Sequence, residues 1–596
     1  MEKEDVDKIW EQWHNSQNFQ NRLNLKTVCE TAVDFYEGRQ WAAPTEKTKN
    51  FPRPVLNIIK FIVNGKRSNI LSAKIKILYK PLLYFIEDKE TTLKGAQLFT
   101  DFAGHIRKQL YQEHLDRKAI SDGLLKGTYI YHYFWDREQK TGSAKYDGGL
   151  NGQIIDPLNI GFANPLEIDE QKQQYILIRG RESVETIKAL AKKNGLKDYE
   201  IEQIGEDTDD MQYARYEQDQ ANRVTVLTKY YRVNGEVYYL KCTEGFIIQK
   251  PTPLTPRADE VEVDAGDMDL EQIDPDKPAV DRYKITLYPI AVGQLDEKEK
   301  CIFGNGEVEQ LINTQKAINF NYAMMQMAGQ NMGFPKVITH PRALQGKTIT
   351  NQPGEILTDY SPAFNGIRYL QPPAFSNLPI NVSDKLFELT RILSGATEVV
   401  SGEVLGKNMS GSAIVALQNQ AKVPIEYVQK RFWETHEKIG RIWEQFFKAY
   451  YTFGVEFMPE EGEDVATFNG LDFQDMDFAT TVDVGTGSAY SDSMSIALLE
   501  SMLTRNNIEF DQFVDLYPDS AMPFKSDLQA LLDEKMLPLE IQQQIMQNPQ
   551  LLGAVMQMVQ QPQGQPGGAP GMEQAAIQMG MQPNEPRQPR MPTMPQ

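Results

Sequence analysis

The chain has 596 residues, which at about 150 residues per domain implies several domains and excludes a single small module. Hydrophobic residues make up 41% and charged residues 24%, enough for packed cores, and no run approaches the roughly 20 apolar residues of a membrane span. The formal charge of −20 argues against a chain built mainly to grip phosphates. No apolar stretch follows Met1 to suggest secretion, and Cys29, Cys242 and Cys301, odd in number and without a CxxC, suit free thiols in a reducing compartment.

The charge is uneven. Lys47 to Lys80 holds nine Lys and Arg and no acid, and Lys66, Arg67, Lys74, Lys76 and Lys80 form its basic patch. Arg257 to Asp281 carries ten acids against two bases, and Glu456 to Asp492 ten acids and no base. Each such run is ordinarily a solvated surface.

In chain order, Lys8 to Glu37 has helical spacing. Val55 to Leu78 reads as an amphipathic helix broken near Gly65, and Leu93 to Leu125 as another helix. Tyr129 to Trp135, almost entirely aromatic, is a predicted strand. Val224 to Tyr231 and Glu236 to Lys241 flank Asn234-Gly235, a strong hairpin signal. Glu307 to Met332 is a predicted helix poor in charge and rich in amides, which suits packing on several sides. Pro335 to Pro379 reads as a compact insertion of short strands and turns. A helix is expected to resume at Asn381, with Leu386, Leu389, Leu393, Ala396 and Val400 forming a narrow apolar stripe. Ser401 to Ser412 is a Gly/Ser loop, followed by a long helix from Ala413 to Thr452 that Pro424 should kink. After an acidic β-prone region come helical patterns at Ser493 to Thr504 and Ser526 to Lys535, then a tail from Gln560 rich in Pro, Gly, Gln and Met, a composition expected to be disordered.

Enzyme signatures fail in detail. The loop at Gly402 has three residues before Gly406 where a phosphate loop needs four, and Asn408 stands where Ser or Thr would hold magnesium. Gly304-Asn305-Gly306 lacks the third glycine of a dinucleotide turn. His436-Glu437 opens a zinc-protease pattern, but Gly440 replaces the second ligand. No metal, cofactor or catalytic set is expected.

The order of parts, an amide-rich helix, a Pro-rich β insertion, a second helix, a Gly/Ser loop and a long helix, resembles the portal protein of tailed bacteriophages. The resemblance is carried by Phe35 to Trp41 with Pro52 to Asn57, Asp122 to Thr128, Asp156 to Ile160, Gly304 to Val308 with Asn313 to Asn319, and Ser410 to Ile414 leading to Gln418 and Gln420. It implies an α+β subunit of a ring, usually of twelve copies, at one capsid vertex, assembled in the host bacterial cytoplasm. Double-stranded DNA is packaged and ejected through such a ring.

The implied parts are a wing (1–285), first stem helix (286–334), clip (335–380), second stem helix (381–400), tunnel loop (401–412), wing again (413–490), crown (491–545) and a Gln/Met/Pro-rich tail (546–596). The implied partners are the terminase large subunit, major capsid and scaffolding proteins, and head-completion or adaptor proteins, with no membrane. Candidate DNA-channel residues are Gly402, Glu403, Gly406, Lys407 and Asn408 in the tunnel loop, and candidate stem residues are Lys316, Asn319, Lys385 and Arg391. An acidic bore repels phosphate and leaves DNA free to slide, and Lys407 is expected to touch it. The basic patch is expected to contact capsid or scaffold protein or the outermost DNA. The competing readings are an NTPase or nuclease of the packaging machinery, and a non-viral ring or scaffold.

Overall fold

The computed structural model describes residues 2–82 except 47, 89–140, 147–207, 222–256, 283–333, 337–339, 358–360, 367–369, 378–394, 411–485 except 453 and 460–464, and scattered positions from 496 to 528. The chain divides into two compact units, Met1–Gly485 and Thr486–Gln596. The first unit mixes helix and sheet, as expected for an α+β chain, and the elements among the described residues of the second are helical.

The first unit opens with helices α1 (Glu2–Arg22) and α2 (Leu25–Glu37). Gly38 ends α2 at φ 91°, a left-handed position that a residue without Cβ takes at little cost. Helix α3 (Ile58–Ile70) runs unbroken through Gly65, because a solvent-facing glycine weakens a helix without removing its hydrogen bonds. It is followed by strand β1 (Lys74–Pro81), where a longer helix was expected. The alternation that specifies β1 is Ile77 and Tyr79 buried, with the more exposed Lys76, Leu78 and Lys80 before, between and after them, a period of two.

The helix expected over Leu93 to Leu125 is two helices, α4 (Lys89–Gln109) and α5 (Gln112–Lys126), divided at Tyr111, whose φ is 50°. The aromatic strand is the core of β2 (Thr128–Lys140), which lies between β3 (Asp147–Ile155) and the later β9 (Ile290–Gln294) in a three-stranded antiparallel sheet. A second sheet runs in sequential order through β4 (Ile160–Phe162), β5 (Tyr175–Ser183), β6 (Arg223–Val233), β7 (Glu236–Cys242) and β8 (Ile247–Pro253). Helices α6 (Val184–Lys193) and α7 (Asp198–Gln203) interrupt it after β5. The hairpin turn between β6 and β7 is Asn234-Gly235, with φ of 52° and 86°.

Helix α8 (Glu307–Gly333) matches its expected span almost to the residue. Of the β-rich insertion, β10 (Val337–Thr339) and β11 (Ile367–Tyr369) are described, paired antiparallel with Val337 opposite Tyr369. Helix α9 (Leu378–Leu393) begins three residues before the expected Asn381. Helix α10 (Gly411–Tyr450) is one element of 40 residues. Strands β12 (Val455–Phe457), β13 (Ala466–Phe468) and β14 (Phe478–Gly485) complete the unit, and β14 pairs antiparallel with β1. The second unit contains α11 (Phe510–Leu516), with Leu499, Leu503, Phe513, Val514 and Tyr517 in a small core of its own. The acidic run at 257–281 and the tail lie outside the described residues.

The main core centres on α10, whose Phe432, Trp443, Phe446 and Phe447 are fully buried against β2 and α4. Phe102 of α4 stacks on Phe468 with ring centroids 3.9 Å apart. Gly440 is where the β1/β14 ladder crosses α10: a Cβ there would lie 2.4 Å from Cγ2 of Thr480, and Tyr79 donates its hydroxyl to the Gly440 carbonyl at 2.8 Å. The glycine that spoils the zinc-protease pattern thus serves helix-to-strand approach. Its neighbour His436 is fully buried, with Nε2 3.1 Å from the Asp116 carboxylate.

Candidate functional site: a helix pair with apolar outer faces

The lower half of α8 is fixed by amides. Gln315 donates through Nε2 to the Leu56 carbonyl at 2.6 Å and accepts the Ile58 N–H at Oε1, 3.1 Å away, so one side chain clamps the backbone entering α3 on both sides. Asn319, one turn on, accepts the Leu56 N–H at 3.2 Å and donates to Oε1 of Gln40 at 2.6 Å, and Gln40 donates onward to the Phe35 carbonyl at 2.7 Å. These groups are buried, so each polar atom must find a partner inside the protein. The expectation that this charge-poor helix packs on several sides holds here, against α2, α3 and α5.

A second joint brings together Asp122 to Thr128, Asp156 to Ile160 and Gly304 to Val308. A Cβ on Gly127, whose φ is 83°, would meet the Gly304 carbonyl oxygen at 2.4 Å, and Gly304 donates its N–H to the Thr128 hydroxyl at 2.9 Å. The glycines at 304 and 306 let two backbones cross, a Cβ at either meeting a carbonyl oxygen within 2.7 Å. Lys126 joins Asp122 at 3.0 Å and Asp156 at 2.6 Å. Asp156 also accepts the Leu158 N–H at 3.0 Å.

Above the amide joint the helix pair turns inside out. On α9 the residues buried in the fold are Ser383, Thr390 and Ser394, between 1% and 3% exposed. Leu378, Ile392 and Leu393 stand 61% to 68% exposed, with Ile380, Val382 and Leu389 at 40% to 43%. An ordinary surface helix has the opposite arrangement, apolar residues inward and polar residues out. Small side chains inward bring α9 close to α8, where Tyr322 meets Phe387 with ring centroids 6.5 Å apart. On α8 the exposed Phe320, Met324 and Met327 are spaced by four and three along one stripe, and Met332 is exposed near the end of the helix. Phe51 stacks on Phe320 at 6.1 Å and carries the surface toward Val55, Leu56 and Phe61, all exposed.

The stem candidates fall into different places. Lys316 is exposed and lies 5.5 Å from the ring centroid of Phe35. Asn319 is 2% exposed and belongs to the amide joint, where its hydrogen bonds hold the base of α8. Lys385 is exposed and pairs with Glu388 at 3.1 Å. Arg391 is half-buried, and its carbonyl accepts the Ser394 hydroxyl at 3.1 Å. Of the expected apolar stripe, Leu386 is half-buried and Leu389 and Leu393 face outward, while Ala396 and Val400 lie outside the described residues. So do all the tunnel-loop candidates, Gly402, Glu403, Gly406, Lys407 and Asn408.

The basic stretch is divided between α3, which carries Lys66 and Arg67, and β1. Lys66 is tied to Glu307 at 2.8 Å with both side chains largely buried, and Arg67 donates to Asn64 at 3.0 Å and Ser121 at 3.2 Å. Lys74, Lys76 and Lys80 are on β1, opposite Gly485, Asp483 and Ala479 of β14. Charge counting could not separate these groups, because it ignores which lysines a helix turns inward.

Elsewhere the ionisable groups serve the fold. Asp116 accepts from Gln112 (2.9 Å), Tyr131 (2.8 Å) and Arg107 (2.7 Å) as well as facing His436. Burial alone would raise its pKa; His436, with Arg107 and the Tyr131 hydrogen bond, outweighs burial and holds it at about 2. His132 is sealed between Tyr230 and Gln153, and burial, with a smaller push from Lys241, lowers its pKa to about 3. Cys29, Cys242 and Cys301 are free and buried. Among the described residues no three His, Cys, Asp or Glu side chains gather in a metal-holding group, and no helix is long and apolar enough to cross a membrane. No protein-family model matches the chain, and a search of curated proteins finds no relative.

Proposed function

We propose that the chain is the subunit of a phage portal, a ring of about twelve copies that forms the conduit for double-stranded DNA at one capsid vertex. The observation that carries this reading is the inverted helix pair. Helices α8 and α9 direct Phe320, Met324, Met327, Leu378, Leu389 and Ile392 into water, an arrangement that costs solubility in a lone subunit and is relieved when copies pack side by side. The pair corresponds to the stem, and β10 with β11, between its two helices in the chain, to part of the clip.

On this reading the β-rich clip docks the terminase large subunit during packaging and head-completion or adaptor proteins afterwards. The wing meets major capsid and scaffolding proteins, and the loop carrying Lys407 approaches the DNA. The net charge of −20 per copy, multiplied around a ring, supports a conduit that repels phosphate and lets the duplex slide. Electron microscopy of the purified full-length chain tests the reading. Annular particles with a central opening wide enough for a duplex are expected, and a protein that remains a single copy under all conditions of salt and concentration overturns it.

A further inference from the structure

Helices α8 and α9 are antiparallel. Between them in the chain β10 and β11 pair antiparallel, and Tyr322 meets Phe387 partway along both helices. At about 100° per residue, Phe320 and Met324 lie about 200° around α8 from Tyr322, and Met327 about 140°. These three therefore face away from α9. On α9, Leu378, Leu389 and Ile392 lie about 120° to 180° around from the buried Ser383, and so face away from α8. The pair thus has two apolar outer ridges on opposite sides, one of Phe and Met and one of Leu, Ile and Val, each about half in water, with Phe51 stacked on the lower end of the first at Phe320.

We infer that the two ridges are the two halves of one head-to-tail contact, the α8 ridge of each copy receiving the α9 ridge of the next. This rests on the ring reading and specifies its interface. A two-fold contact would join α8 to α8 and leave the α9 ridge in water, whereas one head-to-tail contact repeated around a ring covers both. Flexible Met side chains adapt to a branched Leu and Val surface.

The register follows from the helix rise. With Tyr322 level with Phe387, Met327 and Val382 each lie five residues toward the clip end, about 7.5 Å higher. Phe320 and Leu389 each lie two residues the other way, about 3 Å lower. Cyclic symmetry has no translation along its axis, so for helices aligned with that axis residues at equal height meet. Met327 therefore opposes Val382 of the next copy, and Phe320 opposes its Leu389.

Cysteine cross-linking tests this in the full-length protein, where the three native thiols are buried and the background is low. The variant carrying Met327→Cys and Val382→Cys, oxidised by copper phenanthroline in air, should give a ladder of covalent dimers, trimers and higher species on a non-reducing denaturing gel. Either single variant should give none. The pair Phe320→Cys and Leu389→Cys gives an independent reading should the first disturb folding. Covalent dimers from Met327→Cys alone would overturn the head-to-tail contact. No ladder from either pair, in protein that electron microscopy shows as rings, would overturn the ridge pairing and leave the ring intact. Absence of rings in the unmodified protein would overturn both.

Discussion

Asn319 of α8 and Gln40, 279 residues earlier, are joined amide to amide at 2.6 Å in the interior of the first unit. The contact links the segment after α2 to the helix that carries the apolar ridge, so the ridge stands on a fixed base.

Replacing Asn319 with Ala removes a donor and an acceptor that serve Gln40, Leu56 and Gln315. Leaving buried partners unsatisfied costs about 1–3 kcal/mol, and little water can replace the lost side chain at 2% exposure. The urea midpoint of the first unit should fall correspondingly. A midpoint within experimental error of the parent would show that the amide joint contributes nothing.

Gly440→Ala should destabilise by about 1–3 kcal/mol, the usual range for forcing extra atoms into a packed core. The new methyl would sit 2.4 Å from Cγ2 of Thr480 and 2.8 Å from Cγ2 of Ile77. Adding Thr480→Ser removes the nearer obstacle and should restore part of the loss in thermal unfolding. If the double variant is no more stable than Gly440→Ala, the crossing of α10 and β14 is not the reason for the glycine.

Two buried groups give the first unit separate acid limits. For His132 the folded pKa, about 3, lies below the ordinary value of 6.5, so the unfolded chain binds the proton first. Its contribution is complete above pH 6.5 and is lost as pH falls toward 3. For Asp116, held at about 2 against an ordinary 3.8, the contribution is present above pH 4 and fades between 4 and 2, an effect of about 2 kcal/mol. Melting temperature against pH should therefore decline in two stages. His132→Gln should flatten the upper stage and Asp116→Asn the lower, the latter at a cost in stability near neutral pH because Arg107 loses its counter-charge and Tyr131 and His436 a hydrogen-bonding partner. A profile unchanged by either substitution would refute the assignment.

How far these features could be read in advance depended on whether local chemistry or tertiary contact decides them. Asn234-Gly235 is legible because only such residues take φ of 52° and 86° cheaply, and α8 because its period runs uninterrupted to Gly333. Strand β1 is hidden in a run whose helical spacing, at Ile58, Ile59, Ile62, Val63, Ile70 and Leu71, stops short of it, and pairing with β14, about 400 residues away, decides the matter. The break at Tyr111 carries no Gly or Pro to announce it. Asn319 and the exposed Asn313 share a helix and a residue type, so burial separates them where composition cannot. The outward face of α9 was visible as Leu389 and Leu393, but a stripe of leucines normally points inward, and only the burial of Ser383, Thr390 and Ser394 reverses its meaning.

That reversal makes assembly separable from folding. Ile392 and Leu393 are already more than half in water in the single copy, so replacing both with Glu removes little buried contact from the subunit. In an assembled ring the same substitutions would place two carboxylates per copy in an apolar contact, where an unpaired charge is strongly disfavoured. The variant Ile392→Glu/Leu393→Glu should keep the parent circular dichroism spectrum and lose no more than about 1 kcal/mol of stability, the surface-substitution range. Its mass by light scattering should fall from that of a ring to that of one chain, 68.0 kDa. A control, Lys385→Glu, changes charge on the same helix at a residue already paired with Glu388 in solvent and should disturb assembly less. If the double variant still assembles at the parent's concentration threshold, the α9 ridge is not where copies meet, and the exposed leucines would need another explanation.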